Sequence, residues 1–291
     1  MGHWVPSFLS SISSELDSEH PFIHFSFATV DSHGSPHVRT VVFRSFLFDN
    51  SKTNVLTFCT DKRMKKYKEL YENCKFEACF YFSKSKKQFR FSGIAKIIDE
   101  ENQPIIDFPQ GLLMKENISS ETIISSFEKN ENDDDVVNLE GEYYNNNNNN
   151  KIRQVQADTL VYPLLSPSIV AKYNSREKFE SAVPLLDLVP PTQEEWILEW
   201  HRQWSSLSRS MKSTFRKPTP GSKITPEKKK LLDALGRRVD GGNDDAGLKN
   251  FALIALFADT VDYVDLETSN NRRIIDVRVD GDQWKEIEVC P

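Results

Sequence analysis

Three blocks of sequence between residues 36 and 93 decide how this chain folds: PHVRTVVFR at 36–44, LTFCTDKRMKK at 56–66 and QFRFSG at 88–93. Each block places polar side chains along, or at the end of, a run that alternates like a β-strand. The middle block leads directly into a helical pattern. Arginines on strands and free backbone amides at the start of a helix are suited to hold a phosphate group. The stretch therefore predicts an anion site.

The middle block carries the clearest anion signal. Thr60 and Asp61 are placed to cap a helix, and Arg63 and Lys66 lie three residues apart near its start. Cations gathered at a helix end that is already positive are unfavourable unless an anion is present. The alternative is the ordinary solvated face of an amphipathic helix. We favour the phosphate site.

The two arginines of the first block leave a question open. Arg39 and Arg44 are five residues apart, so on an ideal strand they point to opposite faces. A bulge between them, or contacts with different parts of one ligand or with two subunits, would reconcile them with a single site. The alternative is that both are solvated charges on the outside of a barrel.

The third block contributes Gln88, which shares a strand face with Arg90 and Ser92. A neutral amide can hydrogen-bond the polar edge of a ring ligand and so tune its electronics. Taken by itself, an exposed glutamine on a strand has no such role.

Hydrophobic periodicity extends this picture to the rest of the chain and predicts a mainly β protein with flanking helices, in the α+β class. A capping box, Thr192 to Glu195, opens a helix whose tryptophans at 196, 200 and 204 suit a core or a dimer surface. The predicted helices cover 4–16, 62–71, 167–182, a segment from 193 and one from 226. The predicted strands cover 22–30, 37–48, 54–60, 75–83, 87–98, 251–257, 261–266, 272–279 and 284–289.

Composition excludes several classes of protein. A net charge of −6 and a pI near 5.6 argue against a general binder of nucleic acid or anionic membranes. No stretch approaches the length of a membrane span. The four cysteines lack zinc-site spacing, so reduced thiols in a cytoplasmic, or also nuclear, protein are expected.

We expect a single domain over residues 1–291, interrupted twice. The segment at about 105–190 includes a run of six asparagines and is of low complexity, so we expect disorder there. A smaller insertion is expected at about 223–248.

The three blocks, in this order and spacing, resemble the FMN-binding split-barrel proteins of the pyridoxamine 5'-phosphate oxidase-like superfamily, in particular its less characterised branch. The pattern Phe215 to Gly221, with its fixed prolines and glycine, resembles a second signature of that family. The resemblance covers 22–98 and 196–291. It implies an antiparallel split β-barrel, FMN as cofactor, and a homodimer with the flavin at the subunit interface. The flavin contacts that it implies are Arg39, Thr40, Val41, Arg44, Cys59, Thr60, Arg63, Lys65, Lys66 and Gln88.

One departure from the family bears on function. True pyridoxamine 5'-phosphate oxidases have an Arg-x-His element near the C-terminus, preceded by a tryptophan. The corresponding stretch here, from Tyr263 to Arg273, has neither histidine nor tryptophan. The resemblance therefore implies a retained flavin site without the vitamin-substrate site, and Arg273 is a weaker candidate for flavin contact.

Three functions remain open from the sequence. The first is an FMN-dependent oxidoreductase with an unidentified small-molecule substrate or electron donor, for which no catalytic residue can be named. The second is a flavin carrier or sensor without turnover. The third is a nucleic-acid patch formed by the cations at 62–68 and nearby aromatic rings, against which the acidic net charge speaks.

Overall fold

The computed structural model describes residues 2–17, 19, 21–108, 158–174, 189–236, 244–267, 271–279 and 283–291. Its strands are β1 (His24–Val30), β2 (Pro36–Phe46), β3 (Val55–Asp61), β4 (Lys75–Phe82), β5 (Lys87–Ile98), β6 (Ile106–Asp107), β7 (Leu160–Val161), β8 (Phe251–Asp265), β9 (Arg272–Arg278) and β10 (Trp284–Val289). Its α-helices are α1 (Trp4–Glu15), α2 (Lys65–Glu72), α3 (Pro167–Asn174), α4 (Gln193–Ser206), α5 (Arg209–Thr214) and α6 (Pro226–Gly236).

Six strands close an antiparallel β-barrel, which confirms the predicted fold class. The strand order is β8-β3-β2-β1-β4-β5, and β5 pairs back onto β8. Closure removes the exposed edges that an open sheet would leave. Strands β9 and β10 extend the sheet beyond β8.

Strand β8 differs from the prediction, which divided it into two strands at 251–257 and 261–266. It is one continuous strand of 15 residues. Its first half pairs with β3 and its second half pairs with β9, while β5 pairs with it from Leu253 to Asp265. The register between β5 and β8 shifts by one residue between Ser92 and Gly93, so Asp259 has no partner on β5 and β8 continues through it. Beyond Phe257, β8 no longer pairs with β3 and instead pairs with β9 from Thr260 onward. The barrel is therefore split between β3 and β9.

Gly93 is required where that shift occurs. A Cβ at this position would lie closer than van der Waals contact to the carbonyl oxygen of Phe257 and 2.9 Å from the backbone nitrogen of Asp259. Only a residue without a side chain allows β5 and β8 to approach so closely.

Two hydrophobic clusters lie on the two faces of β8. The barrel interior is filled largely by phenylalanine rings and is closed at one end by Trp4 and Phe8 of α1. The outer face packs against α4, whose buried Trp196, Trp200 and Trp204 belong to the second cluster. Both clusters draw on alternate residues of β8, so this strand is buried on both sides.

The predicted capping box of α4 is confirmed. The Thr192 hydroxyl accepts from the Glu195 amide at 3.3 Å, and the Thr192 amide donates to Glu195 Oε2 at 2.9 Å. The predicted cap at Thr60 and Asp61 is wrong: α2 begins four residues later, after Met64. Asp61 instead accepts from the Arg63 amide at 2.9 Å.

Parts of the two expected insertions are folded. Strands β6 and β7, with Tyr162 and Leu164, pack in the second cluster although they fall within 105–190. Residues 109–157 and 175–188, including the expected disorder and the end of the predicted helix 167–182, lie outside the described residues. The 223–248 segment forms α6 up to Gly236. Among the described helices, none is both long and apolar enough to cross a membrane.

Candidate functional site

A cavity of about 590 Å³ lies outside the barrel, where β2 and β3 meet α5, α6 and the loop between these two helices. Its inner wall is formed by Thr40, Val41, Val42, Arg44, Cys59, Thr60, Asp61, Met64 and Lys66. Its outer wall is formed by Met211, Thr214, Phe215, Lys217, Pro218, Thr219, Pro220, Gly221, Ser222, Ile224, Lys228 and Leu232. Six of the ten residues proposed from the sequence therefore line one cavity.

Arg44 and Lys66 supply the positive charge of the inner wall. Arg44 lies at a register shift between β2 and β3, between Phe43 and Ser45, which directs its side chain to the cavity. Its Nε is buried and has no hydrogen-bond partner. Over the described ranges, neither cation forms an ion pair with a carboxylate. A buried, unpaired guanidinium nitrogen is costly, so the site suits an anion that would accept from it.

Lys66 extends from the first turn of α2 and is held by the inner wall. Its Nζ lies 3.3 Å from Thr60 Oγ1 and 2.9 Å from Met64 Sδ. Burial and, to a lesser extent, the neighbouring charge of Arg39 lower the pKa of Lys66 to about 8, against the opposing effects of Asp61 and Glu69. An anion beside this ammonium would offset the loss of hydration.

Cys59 faces the same cavity from β3. Burial raises the pKa of its thiol to about 12, although the adjacent Arg44 opposes the shift. The group is therefore a neutral thiol at physiological pH and acts as a small apolar contact rather than as a nucleophile.

Arg63 is engaged within the protein. Its Nε and Nη2 donate to Asp61 Oδ1 and Oδ2 at 2.9 and 2.6 Å. Its Nη1 and Nη2 also donate to the carbonyl oxygens of Lys217 and Phe215, at 2.8 and 3.1 Å. The guanidinium thus fastens the outer wall of the cavity to the barrel, and it does not line the cavity.

Arg39 and Lys65 meet at Glu69 of α2, away from the cavity lining. Glu69 is buried, and it accepts from Arg39 Nη2 at 2.9 Å and from the Thr29 hydroxyl at 2.5 Å. His37 Nδ1 lies 2.8 Å and Lys65 Nζ 3.5 Å from its other oxygen. Burial raises the pKa of Glu69, but Thr29, Arg39 and His37 together outweigh this effect and hold the pKa below its ordinary value. The network fixes α2, and hence Lys66, on the barrel.

Gln88 and Thr60 lie near opposite ends of β8. Thr60 is opposite Ala252, and Gln88 is opposite Val264, twelve residues further along the strand. Gln88 is not among the residues that line the cavity, whereas Thr60 is.

Arg273 is also outside the cavity. Its Nε and Nη2 donate to the two oxygens of Asp262, at 3.0 and 2.8 Å, and Arg90 donates to the same carboxylate. Burial raises the pKa of Asp262, but these two arginines outweigh that effect and hold the pKa below its ordinary value.

The outer wall was not predicted from the sequence as part of the site. The one sequence signal for this wall is the spacing of the prolines and glycine between Phe215 and Gly221. Ile224, Lys228 and Leu232 come from the expected insertion at 223–248, where no pattern indicated a role in binding.

The fold defines an antiparallel split-barrel protein with a cavity that contains Arg44 and Lys66 on the outer face of β2 and β3. A family model described as "Pyridoxamine 5'-phosphate oxidase, FMN-binding domain" matches residues 1–99. The chain belongs to the pyridoxamine 5'-phosphate oxidase-like FMN-binding split-barrel family.

Two curated relatives accompany this match. The uncharacterized protein YGR017W of Saccharomyces cerevisiae is 38% identical over 310 residues, a match that covers 100% of this chain and 99% of the yeast protein. Pyridoxine/pyridoxamine 5'-phosphate oxidase 2 of Arabidopsis thaliana is 34% identical over 106 residues, 35% of this chain and 52% of the plant protein.

Solved structures show the same fold. A pyridoxamine 5'-phosphate oxidase-related FMN-binding protein of Nostoc punctiforme has a TM-score of 0.55 at 19% identity, with 100% of this chain and 98% of that chain covered. PhzG of Burkholderia lata, in complex with tetrahydrophenazine-1-carboxylic acid, has a TM-score of 0.52 at 13% identity, with 98% and 89% covered.

Proposed function

We propose that this protein binds FMN in the cavity, with the flavin phosphate held by Arg44 and Lys66. The observation that carries the proposal is the buried Arg44 Nε without a hydrogen-bond partner, which lies in the same cavity wall as the desolvated ammonium of Lys66. A phosphate would accept from both cations and from the Thr60 hydroxyl. The family supplies the identity of the anion, since its domain is an FMN-binding one.

The other residues proposed from the sequence then divide by role. Thr40, Val41 and Cys59 contact the bound cofactor from the inner wall. Arg63 positions the outer wall, since its donors are already used by Asp61 and two carbonyl groups. Arg39 and Lys65 act through Glu69 to hold α2 in place.

Gln88 fits the proposal only if a second copy of the chain supplies it. Within one chain, Gln88 does not line the cavity that contains Arg44, Thr60 and Lys66. A homodimer with a twofold axis would place Gln88 of one copy at the cavity of the other and would form two equal sites. We therefore propose that the functional unit is a homodimer.

The chemistry of the site would come from the flavin. Among the described residues that line the cavity there is no histidine, and the Asp61 carboxylate is occupied by Arg63. The chain would therefore bind and orient the flavin and exclude water, while the flavin accepts and donates electrons. We propose an FMN-dependent oxidoreductase of unknown substrate. The same lack of acid–base groups favours a non-catalytic flavin carrier as the second candidate.

The visible absorption spectrum of the purified full chain, with and without added FMN, tests the cofactor. Arg44→Gln/Lys66→Gln should weaken FMN binding at least about a hundredfold, since it removes two charge-assisted contacts to phosphate. Lys68→Gln/Lys75→Gln removes the same charge from two exposed positions outside the cavity and should leave the affinity unchanged. Equal affinities for the two double variants would overturn the assignment of the phosphate.

A further inference from the structure

A strongly basic segment forms the mouth of the cavity. Residues 209–230 contain eight lysines and arginines and a single acid, Glu227, in a chain whose net charge is −6. The segment includes α5, the loop after it and the start of α6. Positive charge is therefore concentrated in one segment of an otherwise acidic chain.

Three lysines of this segment define what we call the cationic rim: Lys217, Lys223 and Lys228. Lys217 and Lys228 line the cavity on the wall opposite Arg44 and Lys66. Lys228 Nζ donates to the Lys223 carbonyl oxygen at 2.9 Å, which fixes the turn between these two residues. In the part of the chain that the structure describes, none of the three forms an ion pair.

Apolar side chains accompany the rim. Ile224 is 73% exposed and Leu232 is partly exposed, and both line the cavity beside Lys228. An isoleucine so exposed at a cavity mouth offers a surface for a flat ring, while the lysines offer donors to phosphate groups. The mouth is concave, so these features suit a small molecule better than a nucleic acid or an acidic protein.

We propose that the cationic rim binds a phosphorylated nicotinamide dinucleotide, NADPH, as the electron donor. This inference rests on the proposed FMN site, because the donor must reach a flavin held by Arg44 and Lys66. The two electrons and one proton that leave NADPH, with one proton from solvent, convert FMN to its two-electron reduced form and release NADP⁺. The 2'-phosphate adds negative charge that NADH lacks, so the rim selects NADPH over NADH.

Calorimetric titration of the FMN-loaded full chain with NADP⁺ and with NAD⁺ tests the site without turnover. NADP⁺ should bind more tightly than NAD⁺, and added salt should reduce the difference. Lys217→Gln/Lys228→Gln should weaken NADP⁺ binding about tenfold or more, as expected for the loss of charged contacts. Lys229→Gln/Lys230→Gln removes the same charge from exposed neighbours outside the cavity and should change it by less than about twofold.

The flavin absorbance of each sample separates this proposal from the one on which it rests. If the flavin band is present and NADP⁺ does not bind, the rim proposal is wrong and the FMN proposal stands. If no flavin binds, the FMN proposal is wrong. NADP⁺ binding that is weakened by Lys217→Gln/Lys228→Gln would then still support the nucleotide site, and failure of NADP⁺ to bind would overturn both proposals. Equal weakening in the two double variants would mean general charge attraction rather than a site, and would also overturn the proposal.

Discussion

Arg63 and Asp61 form an ion pair through two parallel hydrogen bonds, 2.9 Å from Nε to Oδ1 and 2.6 Å from Nη2 to Oδ2. The pair joins the end of β3 to the backbone of Phe215 and Lys217, because the same guanidinium donates to both carbonyl oxygens. A single side chain thus links the barrel to the outer wall of the cavity.

Arg63→Met should lower the free energy of unfolding by about 2 kcal/mol, since it leaves the largely buried Asp61 without its partner. Denaturant unfolding would measure this, and the double variant with Asp61→Asn should recover part of the loss. The 215–217 backbone should also become more sensitive to proteolysis. A variant with unchanged stability and proteolysis but weakened FMN binding would show that Arg63 contacts the phosphate directly.

The affinity for FMN should depend on pH through Lys66. The ammonium is charged below its pKa of about 8 and neutral above it, so binding should weaken as the pH rises through that value. Fluorescence titration of FMN between pH 7 and 9 would measure the change. Lys66→Gln should flatten the profile, and Lys68→Gln should not alter it.

In the ligand-free protein the same pKa has an opposite consequence for stability. The folded chain holds the Lys66 proton less tightly than the unfolded chain, whose lysine pKa is near 10.5. The unfolded state therefore binds more protons between these two values, and the contribution of Lys66 to the free energy of unfolding rises with pH across that range. The comparison is the free energy of unfolding of the wild type minus that of Lys66→Gln, measured across this pH range. A difference that falls as the pH rises would contradict a buried environment for Lys66.

Gly93→Ala should destabilise the barrel by about 3 kcal/mol, because a Cβ has no room against Phe257 and Asp259 of β8. Gly34→Ala is the matched control: this turn glycine has a φ of +82° and no atom within 4 Å of the added Cβ. It should cost only about 1 kcal/mol of backbone strain. Similar losses for the two variants in urea unfolding would argue against a close approach at Gly93.

Mixed dimers can test whether two copies share each flavin site. Gln88→Trp should block the place of the flavin ring, and Arg44→Gln/Lys66→Gln should remove the phosphate contacts. Neither variant should bind FMN well alone. After the two are unfolded and refolded together, each mixed dimer should contain one intact site and one doubly damaged site, and flavin absorbance should return. A mixture that stays colourless would count against a shared site.

Local patterns were sufficient to predict most strands and the α4 capping box, because period and capping depend on neighbouring residues. The split barrel was predicted from the family resemblance. Local patterns failed where the outcome depends on distant partners. The sequence predicts one strand that ends at residue 257 and another that begins at residue 261, yet a register shift against β5 keeps β8 continuous. Thr60 and Asp61 resemble a cap, yet Asp61 is bound by Arg63.

The candidate site shows the same limit. In the sequence, Arg44 and Arg63 are equally good candidates for contact with an anion. Only the folded chain shows that Arg63 is paired with Asp61, whereas Arg44 has an Nε without a hydrogen-bond partner. The outer wall depends on a segment more than 150 residues away from β2 in the sequence. No local spacing could have brought Lys228 and Leu232 to that cavity.

The pairing of β8 with both β3 and β5 determines the order in which the barrel can be completed during synthesis. Five of its six strands have been made by Ile98, but the sixth begins only at Phe251. A nascent chain of about 250 residues therefore holds an unfinished sheet with two open edges, which chaperones would need to shield. The intervening segment can vary in length at little thermodynamic cost, since doubling a closing loop costs only about 0.6 kcal/mol.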